Sequence, residues 1–151
     1  MKHLTVILGI FGLELGIKNH IEKSMTEGEK HPKCKGLLMI HNYHNRGAFL
    51  NMGEGKPWVV AVLSVFLTVL LTIFFVCTFT MAGSGLLKWG LTLMLGGAFG
   101  NTYDRLRRKY VVDYVSFQVP FKRLRQVVFN IGDFCIIIGA MLSVLSEICK
   151  K

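Results

Sequence analysis

Two aspartates, Asp113 and Asp133, carry the chemistry this chain is best equipped to do. Asp133 lies inside the last apolar segment, and Asp113 lies in the connection leading to it. A carboxylate at membrane depth is expensive, so it marks a functional site and calls for a partner. Here each aspartate is the other's candidate partner. Two neighbouring carboxylates in a low-dielectric site do not both ionise readily, so one keeps a proton while the other stays charged. The charged one can draw a proton from water, and the protonated one can donate to the oxygen or nitrogen of a scissile amide. The pair titrates as a unit, and neither role is assigned to one residue. Plainer readings stand beside this one. Asn130 and Asp133 have the spacing of a helix capping box, and Asp113 fits a solvated turn acid.

The elements that must position these acids are membrane spans. The 151 residues are 52% hydrophobic and only 18% charged, a composition that favours a small integral membrane protein over a soluble domain. Residues 58–82 run without a charge, about 38 Å as a helix against a hydrocarbon core of about 30 Å. Residues 127–148 are also long enough to cross. Residues 4–18 and 84–102 are shorter or interrupted, by Glu14 and Lys88. The expected fold is an all-α membrane protein, one domain over 1–151, with four transmembrane helices at about 4–18, 58–82, 84–102 and 127–148. Val111-Val112-Asp113-Tyr114-Val115 is β-rich and is expected to add a short strand at the membrane surface, on the active-site face. Met1-Lys2-His3 opens like a signal peptide, but no small-x-small cleavage pattern follows, so the first helix is expected to be retained.

An even number of spans places both termini on one side. Both long connections, and every unusual polar residue, then fall on the other side: Glu14 and Lys18 closing helix 1, Asn45 and Gly47 in the first connection, Asn101, Asp104 and Arg105 closing helix 3, Asp113, and Asn130 with Asp133 opening helix 4. Glu14 and Lys18 are four apart on one helical face and suit mutual neutralisation. Arg105 directly follows Asp104 and suits a positioning role, while its basic neighbours suit lipid headgroups. The net charge of +9 resides in the connections and points to anionic lipids rather than nucleic acid. His31, His41 and His44 lack the spacing of a zinc site, and no metal is expected. The four cysteines show no metal spacing and suggest no disulfide; buried packing is their expected role. Gly12-x-x-x-Gly16 and Gly96-x-x-x-Gly100 read as faces for close helix approach. The link from Met81 to Gly85 reads as a tight turn.

Four stretches resemble the boxes of the lipoprotein signal peptidases (signal peptidase II). They are Asn45-Arg46-Gly47-Ala48-Phe49, Gly97-Ala98-Phe99-Gly100-Asn101-Thr102-Tyr103-Asp104-Arg105, Val111-Val112-Asp113-Tyr114 and Phe129-Asn130-Ile131-Gly132-Asp133. They occur in family order, and the resemblance covers nearly the whole chain. It implies an intramembrane aspartyl endopeptidase that removes signal peptides from diacylglyceryl-modified prolipoproteins of bacteria, cutting just before the lipidated cysteine. It implies Asp113 and Asp133 as the catalytic dyad and Asn101 and Asn130 as neighbours that orient it. Asn45, Gly47 and Arg105 match positions around the substrate or the site's backbone, and no metal or organic cofactor is expected.

The chain departs from the family pattern in three places. Glu14 stands where an aspartate is usual, Gly132 replaces an alanine before the second dyad residue, and Phe49 stands where a second alanine is common. These departures bear on substrate preference. Two other functions fit the same residues: a catalytically silent paralogue binding lipoproteins or lipids, and a small proton-relay or transport subunit. The resemblance places the termini in the cytoplasm and the active site near the outer face of the cytoplasmic membrane, and a monomer is expected. Loop charge argues the reverse, because most of the 18 Lys and Arg lie in the two long connections.

Overall fold

The computed structural model describes residues 1–47, 55–81 and 85–149. Among these residues five α-helices and three strands follow one another as α1 (Lys2–Ser24), β1 (Lys30–Lys33), β2 (Leu38–Asn45), α2 (Pro57–Cys77), α3 (Gly85–Arg107), β3 (Val111–Phe117), α4 (Lys122–Arg125) and α5 (Ile131–Ile148). α1, α2 with its following turn, and α5 are each long and apolar enough to cross a membrane. α2 begins with Pro57, whose fixed φ suits a first helical turn. It buries only Val60 and Thr68 and turns Val62, Phe66, Leu67 and Ile73 outward, as a helix solvated by lipid does.

α3 is different. It is the least apolar of the long helices yet buries the most residues, among them Leu87, Leu91, Leu95, Asn101 and Asp104. Its polar groups are tolerated because α1, α2 and α5 screen them from lipid. Its 23 residues give about 35 Å of helix, the length of a span.

α3 packs against α5 through glycines. A Cβ at Gly97 would overlap the Gly132 carbonyl, and one at Gly139 would overlap the Gly90 carbonyl. The two helices therefore run antiparallel with backbones in near contact. A Cβ at Gly96 would come within 2.9 Å of Ile10 of α1, and one at Gly100 would lie 3.6 Å from the Glu14 Cβ, so this small-residue face does admit a neighbour. Gly12 and Gly16 do not: among the described residues nothing lies within 4 Å of a Cβ at either. Their face is turned away from the bundle.

Three expectations on element bounds need correction. α1 continues to Ser24, so Glu14 and Lys18 sit inside the helix rather than closing it. Its extra turns carry Ile21 into a small core with Val112 and Tyr114, which repays continuing the helix beyond the bilayer. α3 likewise extends to Arg107. α5 starts at Ile131, not 127, because Phe129 is drawn into a bridge with Val115 and Asn130 caps the helix. The first long connection is also more than a connection. It forms an antiparallel hairpin, β1 with β2, and β2 pairs with β3, giving the order β1-β2-β3.

The cysteines depart from expectation as well. Cys34, Cys77 and Cys149 are exposed and Cys135 half-buried, with all four free, so buried packing is not their role. Of the expected tight turn and the first box, residues 82–84 and Ala48-Phe49 lie outside the described residues.

Candidate active site

The acids meet where β3 crosses the start of α5. Asn130, fully buried, caps α5: its Oδ1 accepts from the Asp133 amide at 2.8 Å, and its own amide donates to Asp133 Oδ2 at 3.0 Å. The capping box is therefore real, and it serves the site rather than competing with it. Since Asn130 Oδ1 is held by a backbone donor, its Nδ2 faces the other way, giving 2.7 Å to Asp113 Oδ1 and 3.1 Å to Asn101 Oδ1.

The same logic fixes two more amides. Asn45 Oδ1 accepts from the Gly47 amide at 3.1 Å, which aims Asn45 Nδ2 at Asp113 Oδ2, 2.9 Å away. The β2–β3 register allows this, with Tyr43 opposite Asp113 and Asn45 one diagonal step along the same face. Asn101 Oδ1 accepts from Lys18 Nζ at 2.8 Å, which turns Asn101 Nδ2 toward Asp133 Oδ1 at 2.9 Å. Every oxygen of the two carboxylates thus receives a neutral N–H, and among the described residues neither forms an ion pair. Burial, then the charge of Asp133, raise the Asp113 carboxyl to about 7 against the weaker pull of Asn45, Asn130 and Lys18.

Lys18 is the hub beneath. Its ammonium donates to Asn101 Oδ1 and forms ion pairs with Glu14 Oε2 at 3.0 Å and Asp104 Oδ2 at 3.0 Å. Lys18, Glu14 and Asp104 are all but fully buried. Asp104 also accepts from the Val112 amide, tying α3 to the start of β3, and forms an ion pair with Arg108 Nε. Glu14 and Lys18 do neutralise one another, as a triad with Asp104.

Arg105 leans across the opening. It donates to the carbonyls of Gly47 at 3.2 Å and Asn101 at 3.5 Å, while its buried Nε has no hydrogen-bond partner among the described residues. Two cavities meet at Asn101, Arg105 and Asp133. One is a groove of about 600 Å³ between α2, α3 and α5, apolar along Leu67, Leu71, Phe74 and Met94. The other, about 220 Å³, holds both acids under Val127, Val128 and Phe129.

A family model described as Signal peptidase (SPase) II matches residues 6–149. The chain belongs to the signal peptidase II family. It is 32% identical to a lipoprotein signal peptidase of Halothermothrix orenii, over 96% of this chain and 93% of that one. A second, from Shouchella clausii, is 34% identical over 93% and 89%. Among solved structures, one of a bacterial membrane enzyme matches with a TM-score of 0.84 at 21% identity, covering 97% of this chain and 87% of that one. A second bacterial membrane enzyme gives 0.82 at 21%, covering 99% and 94%. These two likenesses concern the fold.

In this signal peptidase II chain, all ten residues singled out from the sequence gather at one end of the bundle. The three histidines do not join them. His31 bonds Glu29, His41 bonds Ser116, and His44 lies between Glu22 and Glu27. Sequence reasoning gave no role to Tyr114. Its hydroxyl donates to Glu14 Oε1 at 3.0 Å and accepts from the Ile131 amide at 3.1 Å. The signal was present, since an aromatic next to a strand acid points to the opposite face and must bury its hydroxyl against a partner.

Proposed function

We propose that this protein is an aspartic endopeptidase of the bacterial membrane that removes signal peptides from diacylglyceryl-modified prolipoproteins, cutting before the lipidated cysteine. The observation that carries this reading is the pairing of Asp113 and Asp133 in one cavity, held by neutral amides alone. An ion pair would hold a carboxylate permanently charged, whereas neutral donors and burial let the pair keep one proton near neutral pH.

The mechanism follows from that shared proton. The ionised aspartate takes a proton from a water whose oxygen attacks the scissile carbonyl carbon. The protonated aspartate donates to the carbonyl oxygen, and a proton then passes to the leaving nitrogen as the C–N bond breaks. Asn101 and Asn130 keep the carboxylates facing the cavity. Arg105, with its unpartnered Nε at the junction of the two cavities, donates to a substrate carbonyl beside the cut. The apolar groove between α2, α3 and α5 receives the signal helix laterally from the bilayer. Lys30, Lys33, Lys35 and Arg125 are exposed on the same face and suit anionic headgroups. The chain works as a single four-span domain and a monomer, with cytoplasmic termini and the dyad near the outer surface.

The deciding experiment is cleavage of a diacylglyceryl-modified prolipoprotein by the purified protein in detergent, beside Asp113→Asn and Asp133→Asn. Signal-peptide release by the wild type alone is expected. Release by both variants at the wild-type rate overturns the dyad. Equal cleavage of the unmodified precursor overturns the lipid requirement.

A further inference from the structure

The first turn of a helix leaves its leading amides without intrahelical partners, and water or a local cap usually serves them. At α5 this is not so. Asp133 N is taken by the cap residue Asn130, but Ile131 N donates to the Tyr114 hydroxyl at 3.1 Å and Gly132 N donates to Glu14 Oε1 at 2.7 Å. The helix that carries one acid is seated by a strand and a helix distant in sequence. Tyr114 directly follows Asp113, and strand alternation sends its ring to the opposite face, into the core with Ile21 and Val112. From there its hydroxyl reaches α5 and Glu14 together. Glu14 is in turn held by Lys18, which orients the Asn101 that donates to Asp133.

We infer that the Tyr114 hydroxyl, anchored on Glu14, is a positioning group that sets the separation of Asp113 and Asp133 by fastening the strand of the first to the opening turn of the helix of the second. The inference rests on the dyad proposed above. Other links cross this junction: the Val115–Phe129 bridge and the Asn130 bond to Asp113. They fix the strand to the cap. Among the described residues, Tyr114 alone joins the strand next to one acid to the helical turn that bears the other while being braced from α1. Separation matters because the coupling of two carboxylates falls with distance, and because small displacements of catalytic groups cost rate.

The test is Tyr114→Phe, which removes one oxygen, compared with Tyr110→Phe. Tyr110 also bonds a glutamate of α1, Glu22 at 3.2 Å, but among the described residues its hydroxyl makes no hydrogen bond to α5. With the lipid-modified precursor, Y114F is expected to lower kcat by about tenfold, a fraction of the roughly hundredfold that an ångström of misplacement costs. KM stays within about twofold. The alkaline limb of its pH profile moves to lower pH, because more widely spaced acids give up their shared proton more easily. Of the other charged groups facing the acids, Lys18 from α1 and Asp104 and Arg105 from α3 keep their partners in the variant, and Glu14 loses the one donor that Tyr114 supplies. Y110F keeps the wild-type profile.

A wild-type kcat and pH profile in Y114F overturns the inference, as does an equal shift in both variants. Amide hydrogen exchange on the wild type supplies a reading that does not depend on a variant folding. Slow exchange at Ile131 and Gly132 is expected, and exchange at the rate of open first-turn amides overturns the bracket. Undiminished cleavage by D113N and D133N would instead sink the dyad itself, a distinct outcome.

Discussion

Lys18 has no lone pair to offer, and that fact orients the whole site. Because it only donates, Asn101 must present its oxygen to Lys18 and its NH2 to Asp133. Lys18→Met would strand Glu14 in the interior without a counter-charge and leave Asp104 with Arg108 alone. It is expected to cost about 3–5 kcal/mol of stability, read by thermal or denaturant unfolding in detergent. Asp113 makes the opposite kind of demand. Its carboxyl titrates at about 7 when folded and near 4 when unfolded, so the folded state holds the proton more tightly. This contribution to stability is full below about pH 4 and is lost as the pH rises through about 7. The melting temperature of the wild type relative to D113N should therefore fall between pH 4 and pH 8. A rising difference would contradict the raised value. Activity that needs one shared proton declines over the same upper range, so kcat/KM should decrease above about pH 7.

At the level of elements, the α3–α5 seam sets how near Asn101 comes to Asp133. A methyl group at Gly97 would meet the Gly132 carbonyl, a backbone atom with no rotamer to yield. Gly97→Ala is expected to force the helices apart, at a cost of about 1–3 kcal/mol or more, and to lower cleavage with it. Gly12→Ala meets nothing within 4 Å and replaces a poor helix former, so it should be neutral or stabilising by up to about 1 kcal/mol. Parallel melts and cleavage assays of the two variants separate a packing role from a propensity effect. If both behave alike, the seam does not set the site. The two glycine motifs look the same on paper. Only the bundle decides which of them meets a neighbour.

For the whole molecule, the open matter is which way it faces. Up-down packing puts the sheet, the dyad and most basic residues at one end, and the proposed orientation sets that end outside despite the loop charge. Two native cysteines report on this directly. Cys34 is exposed at the β1–β2 turn on the dyad side, and Cys149 is exposed just after α5 on the other. In intact cells carrying single-cysteine forms, an impermeant thiol reagent is expected to label Cys34 and to reach Cys149 only after lysis. The reverse pattern would turn the protein over and place the dyad in the cytoplasm.

Residue types and spacing were enough to locate the long helices, the end at which the polar residues gather and the two acids that meet there. Hydropathy, span parity and the motifs around Asn101, Asp113 and Asp133 are all properties of local sequence. It also contained the capping box of Asn130 and Asp133, because that contact closes within three residues. The tertiary structure alone decided that α3 is the screened inner helix, that the first connection folds into a hairpin bringing Asn45 to Asp113, and that Tyr114 and Glu14 seat α5. Those contacts join residues 68, 100 and 118 positions apart. No local pattern encodes them, because each bond exists only after the helices have packed and water has been excluded from between them.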